Sequence, residues 1–128
     1  MSISHTLTRK WVSDGAEIIK DEIVSAGSEL NVDESIADGE TDLLVNWTCD
    51  YSALKALYIV SDQDLTIETN DGTTPDDTIT LSANVPLLWT STGYLANPFS
   101  ADVTALYVTN ASGSAAALKI RSLQDPTP

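Results

Sequence analysis

The sequence predicts an all-β protein, an antiparallel β-sandwich of about eight to nine short strands, with the jelly roll as one candidate arrangement. Two observations lead to this fold class. Segments that alternate apolar and polar residues, or are rich in β-branched and aromatic residues, recur at intervals of roughly ten residues. Between them lie clusters of Asp, Asn, Ser, Gly and Pro, which are the residues that form tight turns.

The first predicted strand, residues 3–13, is rich in threonine and β-branched residues. One of its faces carries Ile3, His5, Leu7, Arg9 and Trp11. Because that face is mixed in polarity, the segment is interpreted as an edge strand or as an arm that lies across a partner. A turn is predicted at Asp14-Gly15. Residues 16–25 contain isoleucines at helical spacing, but the short length and the bordering glycines favour a strand, with a short helix as the alternative.

Two hairpins are predicted in the middle of the chain. In the first, the alternating segments 30–36 and 43–49 flank a turn at Asp38-Gly39. In the second, segments 54–60 and 65–69 flank a short acidic turn. Segment 54–60 ends in consecutive apolar residues, which indicates a strand that is covered on both faces.

Three more strands are predicted after the turn-rich residues 70–77. In segment 78–88, Pro86 is expected to bend the strand. The side chains of this segment expected to face the core are Ile79, Leu81, Ala83 and Val85. Segment 103–109 is apolar on both faces, and segment 115–123 alternates. Leu118 and Ile120 are expected to point inward, and Lys119 and Arg121 outward.

The length of 128 residues is that of one domain with a single core. We divide the chain into an extended N-terminal arm or edge strand at 1–14, a β-sandwich domain at 15–123 and an extended C-terminal tail at 124–128. The tail is expected to be stiff because it contains two prolines.

The charge of the chain excludes several classes of partner. The net charge is -13 and there are only six Lys and Arg residues, so binding to nucleic acid or to an anionic membrane surface is not expected. No segment has the length and apolarity of a membrane span, and no signal peptide is predicted. Cys49 is the only cysteine and His5 the only histidine, so neither an intrachain disulfide nor a Cys/His metal cluster is expected.

Catalytic patterns are not found in the sequence. The acidic residues of the middle region are interpreted as turn-forming and solubilising, because they do not match a calcium-binding loop. These residues are Asp62, Asp64, Asp71, Asp76 and Asp77. There is no Gly-x-Ser-x-Gly elbow and no glycine-rich phosphate loop. The chain is therefore predicted not to be an enzyme and to need no cofactor or metal.

Aromatic residues supply the candidate contact surface. Trp47 alternates with apolar neighbours and is predicted to lie in the core. A loop is predicted at 90–100, and its aromatic residues are expected to contact a partner or the core, with a sugar-binding platform as the alternative. The predicted partner-contact residues, from the N-terminal arm and from this loop, are Leu7, Arg9, Trp11, Trp89, Tyr94 and Phe99.

Three runs in the second half of the chain carry a resemblance to a known group of proteins. They read SALKALYIVSDQDLTIETN, DDTITLSANVPLLWTSTGY and FSADVTALYVTNASGSAAALKIR. Over about residues 52–121, their pattern of predicted strands and turns resembles that of small β-rich virion proteins of tailed bacteriophages. These are head-decoration, cement or accessory capsid proteins.

This resemblance implies a non-enzymatic protein on the capsid exterior that is assembled in the host cytoplasm. It implies that the chain binds the major capsid protein, reinforces the shell and forms a homo-oligomer, with a trimer favoured. The unpaired cysteine is compatible with cytoplasmic assembly. Two alternatives stay open at this point, a structural component of the tail or neck and a carbohydrate-binding β-sandwich module.

Overall fold

A computed structural model describes residues 2–125 of the chain, and these residues form ten β-strands. The strands are β1 Ile3–Ser13, β2 Ala16–Ala26, β3 Ser28–Ile36, β4 Leu43–Val45, β5 Leu54–Ser61, β6 Leu65–Thr69, β7 Thr78–Leu81, β8 Leu87–Thr90, β9 Leu106–Thr109 and β10 Ala116–Gln124. All the strand pairs are antiparallel, so the predicted all-β class is confirmed. Within residues 2–125 there is no helix of the length and apolarity that a membrane crossing requires.

Strands β3 to β10 form a sandwich of two four-stranded sheets. Sheet I has the order β3-β10-β5-β8 and sheet II the order β4-β9-β6-β7. The chain repeatedly crosses from one sheet to the other, and the first and last of these eight strands are neighbours in sheet I. This is the strand order of an eight-stranded jelly roll. Strands β1 and β2 form a separate two-stranded sheet, described below as the arm.

The core lies between the two sheets and follows from the alternation of the strands. In β10, Leu118 and Ile120 are buried, while Lys119 and Arg121 point away from the core, as predicted. The predicted core position of Trp47 is also confirmed, since its side chain is 1% exposed. The other fully buried large side chains are Ile36, Leu57, Ile59, Ile67, Leu106, Leu118, Ile120 and Leu123, with Val45, Val103 and Val108.

The two predicted central hairpins are wrong. Strand β5 pairs with β10 and β8, whereas β6 pairs with β7 and β9, so the two strands belong to different sheets. Strands β3 and β4 are likewise in different sheets. Alternation of apolar and polar residues identifies a half-buried strand but does not determine which other strand pairs with it. The three residues between β5 and β6 can extend about 14 Å, enough to cross the roughly 10 Å between stacked sheets.

The acidic turn after β5 is a corner of the sandwich. The Asp62 carboxylate accepts a hydrogen bond from the backbone N–H of Ala117, and the Asp64 carboxylate accepts one from the N–H of Ala83, both at 2.8 Å. Each carboxylate therefore ties this corner to a different neighbouring segment. Charge-assisted bonds of this kind are stronger than neutral ones, which explains two aspartates in one short turn.

The predicted strand at 78–88 is two strands. Strand β7 ends at Leu81, and Asn84 has a left-handed backbone with φ of 62°. The chain then crosses to sheet I and begins β8 at Leu87. Ile79 and Leu81 are buried as expected, but Ala83 and Val85 are exposed, so that part of the prediction is wrong. This division contributes to the count of ten strands where about eight to nine were expected.

The N-terminal boundary differs from the predicted one. Residues 16–25 are a strand and not a helix, and β2 pairs along its whole length with β1. The boundary predicted at residue 14 thus falls inside the arm, which continues to Ala26. At the other end, β10 continues through Gln124, and residues 126–128 of the predicted tail lie outside the described residues.

Candidate interaction surface

The arm is a regular antiparallel hairpin with two distinct faces. Strands β1 and β2 pair without a register shift from Ile3 opposite Ala26 to Ser13 opposite Ala16, and Gly15 in the connecting turn has φ of 74°. Directly opposed residues point to the same side of a two-stranded sheet. Alternate pairs therefore divide the arm into an inner face, which is directed at sheet I, and an outer face, which is directed away from it.

The inner face lies across sheet I along one row of residues. The register places Glu29, Leu123, Ala56 and Thr90 side by side on β3, β10, β5 and β8. Near the base of the arm, buried Val24 and Ala26 pack against Ala56 and Leu123. Ile3 and Leu7 add partly buried contacts to this small cluster. The base of the arm is thus bound to the sandwich by apolar contacts, separate from the main core.

A polar clasp binds the arm at the opposite edge of sheet I, beside β8. We define the Glu22 clasp as Glu22, Arg9, Thr90 and Thr92. The Thr90 hydroxyl donates to the Glu22 carboxylate, with oxygen–oxygen distances of 3.0 and 3.1 Å, and the Thr92 hydroxyl donates to it as well. The Arg9 guanidinium donates to the same carboxylate, with a nitrogen–oxygen distance of 2.8 Å. Bonds from Thr92 and Arg9 hold the pKa of Glu22 below its ordinary value, against a smaller opposing effect of burial.

Beyond the clasp, the tip of the arm extends past the sandwich. We define the arm tip as residues 10–19. From Arg9 to Ser13 the arm advances about 13 Å at the usual rise of a strand. On the inner face of the tip, Trp11 is 71% and Ile18 is 60% exposed. The arm tip therefore presents apolar side chains that no described part of the chain covers.

The loop after β8 lies beside the point where the arm leaves the sandwich. A Cβ atom at Gly93 would lie 2.5 Å from the Thr90 hydroxyl and 3.4 Å from the Arg9 guanidinium, so this close approach requires glycine. The indole N–H of Trp89 donates to the carbonyl of Leu95 at 3.0 Å and fixes the loop. Tyr94 and Leu95 project into solvent. We name the inner face of the arm tip together with this loop the apolar corner, formed by Trp11, Ile18, Tyr94 and Leu95.

The predicted contact residues divide into two groups. Trp11 and Tyr94 are exposed, and both belong to the apolar corner. Leu7 lies in the apolar base of the arm, and Arg9 lies in the Glu22 clasp.

The other two predicted contact residues, Trp89 and Phe99, are buried in the main core, where the Phe99 ring lies 5.6 Å from that of Trp47. Both side chains therefore complete the core beneath the loop, the alternative to partner contact that the sequence left open for its aromatic residues.

Several residues of this surface were not identified from the sequence. Ile18, Ile23 and Glu22 lie in residues 16–25, where the spacing of apolar residues fits a helix as well as a strand. The excess of β-branched residues in this segment was the feature that favoured a strand. The pairing of Glu22 with Thr90 and Thr92 joins residues far apart in the chain, and a single sequence carries no pattern for it.

Charge is distributed unevenly between the arm and the rest of the chain. Residues 3–26 contain three basic and four acidic residues, for a net charge of -1. The remaining residues contain three basic and fifteen acidic ones, for a net charge of -12. The arm is therefore the part of the chain that can approach an acidic protein surface with little repulsion.

The potential metal ligands and the single cysteine of the described residues have simple surroundings. Among residues 2–125, no three or more His, Cys, Asp or Glu side chains are grouped so that they could hold a metal ion. Burial raises the pKa of the Cys49 thiol to about 11, so it stays protonated near neutral pH. The five middle-region aspartates each accept a hydrogen bond within the fold.

A groove of about 340 Å³ runs between the arm base and sheet I. The ionisable side chains that line it are His5, Glu29 and Arg121. His5 lies 3.3 Å from Glu29, and Arg121 lies 3.0 Å from Asp33. These side chains of the groove are therefore already paired within the fold.

Comparison with protein-family models, with curated proteins and with solved structures finds no match to this chain. The arm and the apolar corner are therefore the features from which a function can be proposed.

The Glu22 clasp leads to a testable prediction about the arm. Replacing Glu22 by alanine removes the acceptor for Thr90, Thr92 and Arg9, and we expect backbone amides of the arm to exchange with solvent about tenfold faster. Hydrogen–deuterium exchange followed by mass spectrometry measures this change. The matched control is Glu17→Ala, which removes an exposed ion pair with Lys10 at the arm tip and should leave exchange at the arm base unchanged.

The same clasp predicts a dependence on pH. Because the pKa of Glu22 is lowered in the folded chain, its contribution is fully present above the ordinary value of 4.5 and is lost as pH falls through the lower folded value. Protection of the arm amides, measured relative to intrinsic exchange at each pH, should therefore fall as the pH drops below 4.5 in the wild type more than in Glu22→Ala. An equal loss of protection in both proteins would contradict the role assigned to Glu22.

Proposed function

We propose that this chain is a non-enzymatic virion structural protein, a capsid decoration or cement protein that binds the outer surface of the major capsid protein shell and stabilises it. The observation that carries this proposal is the apolar corner, which is positioned by the Glu22 clasp and is not covered by described residues. In this proposal the site is an adhesive surface, and the jelly roll is the rigid body that presents it.

The geometry supports adhesion rather than chemistry. Exposed apolar patches on folded domains mark contact sites with other macromolecules. Tryptophan and tyrosine side chains contribute strongly to such contacts because each buries a large area with few rotatable bonds. Trp11 and Tyr94 supply both types in the apolar corner. A clasped arm also loses little conformational entropy on binding, which favours affinity.

The proposed assembly gains strength from multiplicity. A shell repeats its surface many times, and a homo-oligomer, with a trimer favoured by the resemblance, would bind several sites at once. Linked binding events can raise the overall affinity by a factor on the order of 100 to 10,000. The net charge of -12 outside the arm supports a place on the capsid exterior, because it gives no attraction to packaged nucleic acid.

The proposal is tested by binding to shells assembled from the major capsid protein of the virus that encodes this chain. Replacing both Trp11 and Ile18 by threonine should reduce affinity for shells at least about a hundredfold, since two apolar anchors are lost. Co-sedimentation of shells with increasing concentrations of the chain measures the affinity. The matched control is Val85→Thr, a change at a 58% exposed apolar residue outside the arm.

Electron microscopy of virions with and without the chain shows where on the virion the chain is located. Knobs repeated over the shell, lost when the gene is deleted, are the expected result. Density confined to the tail or neck would favour the alternative position in the virion. Equal shell binding by the wild type and the Trp11→Thr, Ile18→Thr protein would show that the apolar corner is not the adhesive surface.

One observation favours a second candidate function, the binding of carbohydrate. Exposed Trp11 and Tyr94 belong to the same corner, and exposed aromatic rings are the surfaces on which sugars stack. The buried Trp89 is not suited to this role. A glycan array probed with the wild type and with Tyr94→Ala tests the idea, and a signal that Tyr94→Ala abolishes would favour it.

A further inference from the structure

The outer face of the arm is a second exposed apolar surface, distinct from the apolar corner. Its register pairs place Ile23 beside Thr6, Ile19 beside Lys10 and Val12 beside Glu17. Ile23 is 72%, Val12 66% and Ile19 46% exposed. The arm tip therefore exposes apolar side chains on both faces. A two-stranded hairpin is only marginally stable in water unless one of its faces is buried.

The charges on this face are few. Lys10 and Glu17 form an ion pair at 2.7 Å, and the Thr8 hydroxyl donates to Asp21 at 2.8 Å. The remaining outer-face side chains toward the base of the arm are Ser4, Thr6 and Ser25, which are uncharged. Two such faces can therefore approach each other without placing a large unbalanced charge in the contact.

We propose that the outer face of the arm packs against the same face of another copy of this chain, through Val12, Ile19 and Ile23. The proposal rests on the proposed function in taking the chain to act as several copies. It adds the contact that joins those copies, and it leaves the apolar corner of each copy free for the shell.

Electrostatics favours a second copy at the outer face and not at the apolar corner. The corner includes the loop of the sandwich itself, so a contact there between two copies would bring their acidic sandwiches together, each with a net charge of -12. The outer face points away from the sandwich. With about 10 Å between stacked sheets, two arms packed face to face separate the two copies of sheet I by about 30 Å.

That separation is large compared with the range of charge repulsion. Interactions between exposed charges are screened over roughly 8 Å at physiological ionic strength. Contact through the outer faces therefore buries the apolar side chains of the arms while the repulsion between sandwiches is largely screened. Two outer faces meet in this way about a two-fold axis, and three outer faces can converge on a three-fold axis. Both are common symmetries of homo-oligomers.

Size-exclusion chromatography with light scattering tests this contact in the full-length chain without shells. The wild type should have the mass of two or three chains. The Ile19→Thr, Ile23→Thr protein should have the mass of one, with its dissociation constant raised at least about a hundredfold. Threonine keeps the β propensity of the strand, so the hairpin should persist. The matched control is Trp11→Thr, Ile18→Thr on the inner face, which should remain oligomeric.

Disulfide trapping provides a measurement that does not depend on weakening the fold. Under mild oxidation, Ile23→Cys should give a covalent dimer, whereas Ile18→Cys on the inner face should not. The native Cys49 is buried and does not interfere. A monomeric wild type, or an Ile19→Thr, Ile23→Thr protein that remains oligomeric, would overturn the proposal.

The two functional proposals fail in different ways. A monomeric wild type that still binds shells would overturn the contact between copies and leave the decoration function standing. An oligomeric wild type that binds neither shells nor virions would overturn the decoration function and leave the contact between copies standing.

Discussion

Replacing Trp47 by alanine is expected to lower the free energy of unfolding by about 3–5 kcal/mol, a large part of the stability of a small domain. The Trp47 side chain is 1% exposed and packs against Phe99 between the two sheets. Its indole N–H also donates to the Ser122 hydroxyl on β10 at 3.1 Å. The substitution therefore leaves a large cavity and also removes the donor to a buried hydroxyl. Urea unfolding monitored by circular dichroism measures the loss.

The matched control is another tryptophan, Trp11. Because Trp11 is 71% exposed at the arm tip, Trp11→Ala should change the free energy of unfolding by less than about 0.5 kcal/mol in the monomer. A comparable loss from the two substitutions would contradict the assignment of Trp47 to the core and of Trp11 to an uncovered surface. The comparison thus separates the residue that stabilises the sandwich from the residue proposed to bind the shell.

The second large effect is expected at Asn110, whose side chain is completely buried. Its amide NH₂ donates to the carbonyl oxygens of Ile36 at 3.0 Å, Ala37 at 3.3 Å and Ser114 at 2.8 Å. Its carbonyl oxygen accepts from the backbone N–H and the hydroxyl of Ser112, at 3.1 and 2.7 Å. Asn110 thus joins the connection after β3 to the connection before β10, both of which cross between the sheets.

Asn110→Ala should lower the free energy of unfolding by about 3 kcal/mol, because buried carbonyl groups lose their donors. Asn31→Ala is the control, since Asn31 is exposed and donates to Glu29 within the same strand. That change should cost less than about 0.5 kcal/mol. Thermal and urea unfolding of the two variants measure the difference, and equal stability of the two would show that the Asn110 bonds contribute little.

The sequence was informative about strands and uninformative about their neighbours. The alternation in β10 placed Leu118 and Ile120 in the core correctly, because a strand has a fixed period of two. The same alternation is satisfied whether β5 turns back onto β6 or crosses to the other sheet. The strand pairs that distinguish the two arrangements, β5 with β10 and β6 with β9, join segments distant in sequence.

The candidate surface was predicted in part for similar reasons. Trp11 and Tyr94 were proposed as contact residues, and both are exposed. Trp89 and Phe99 were proposed on the same grounds but are buried, since an aromatic residue near a loop is equally suited to closing the core beneath it. The outer-face residues Ile19 and Ile23 were obscured by their spacing of four, which fits a helix as well as one face of a strand.

The position of β10 in the jelly roll has a consequence for biosynthesis. Strand β10 pairs with both β3 and β5, so sheet I cannot form its complete set of pairs until residue 124 has left the ribosome. The strand pairs of the arm involve only β1 and β2, which are joined by a two-residue turn, and a hairpin begins to form its pairs within about 1–10 microseconds. At a synthesis rate of roughly 5–20 residues per second, the apolar arm is available for several seconds before its own sandwich can close. Newly made chains are therefore most exposed to premature association during translation.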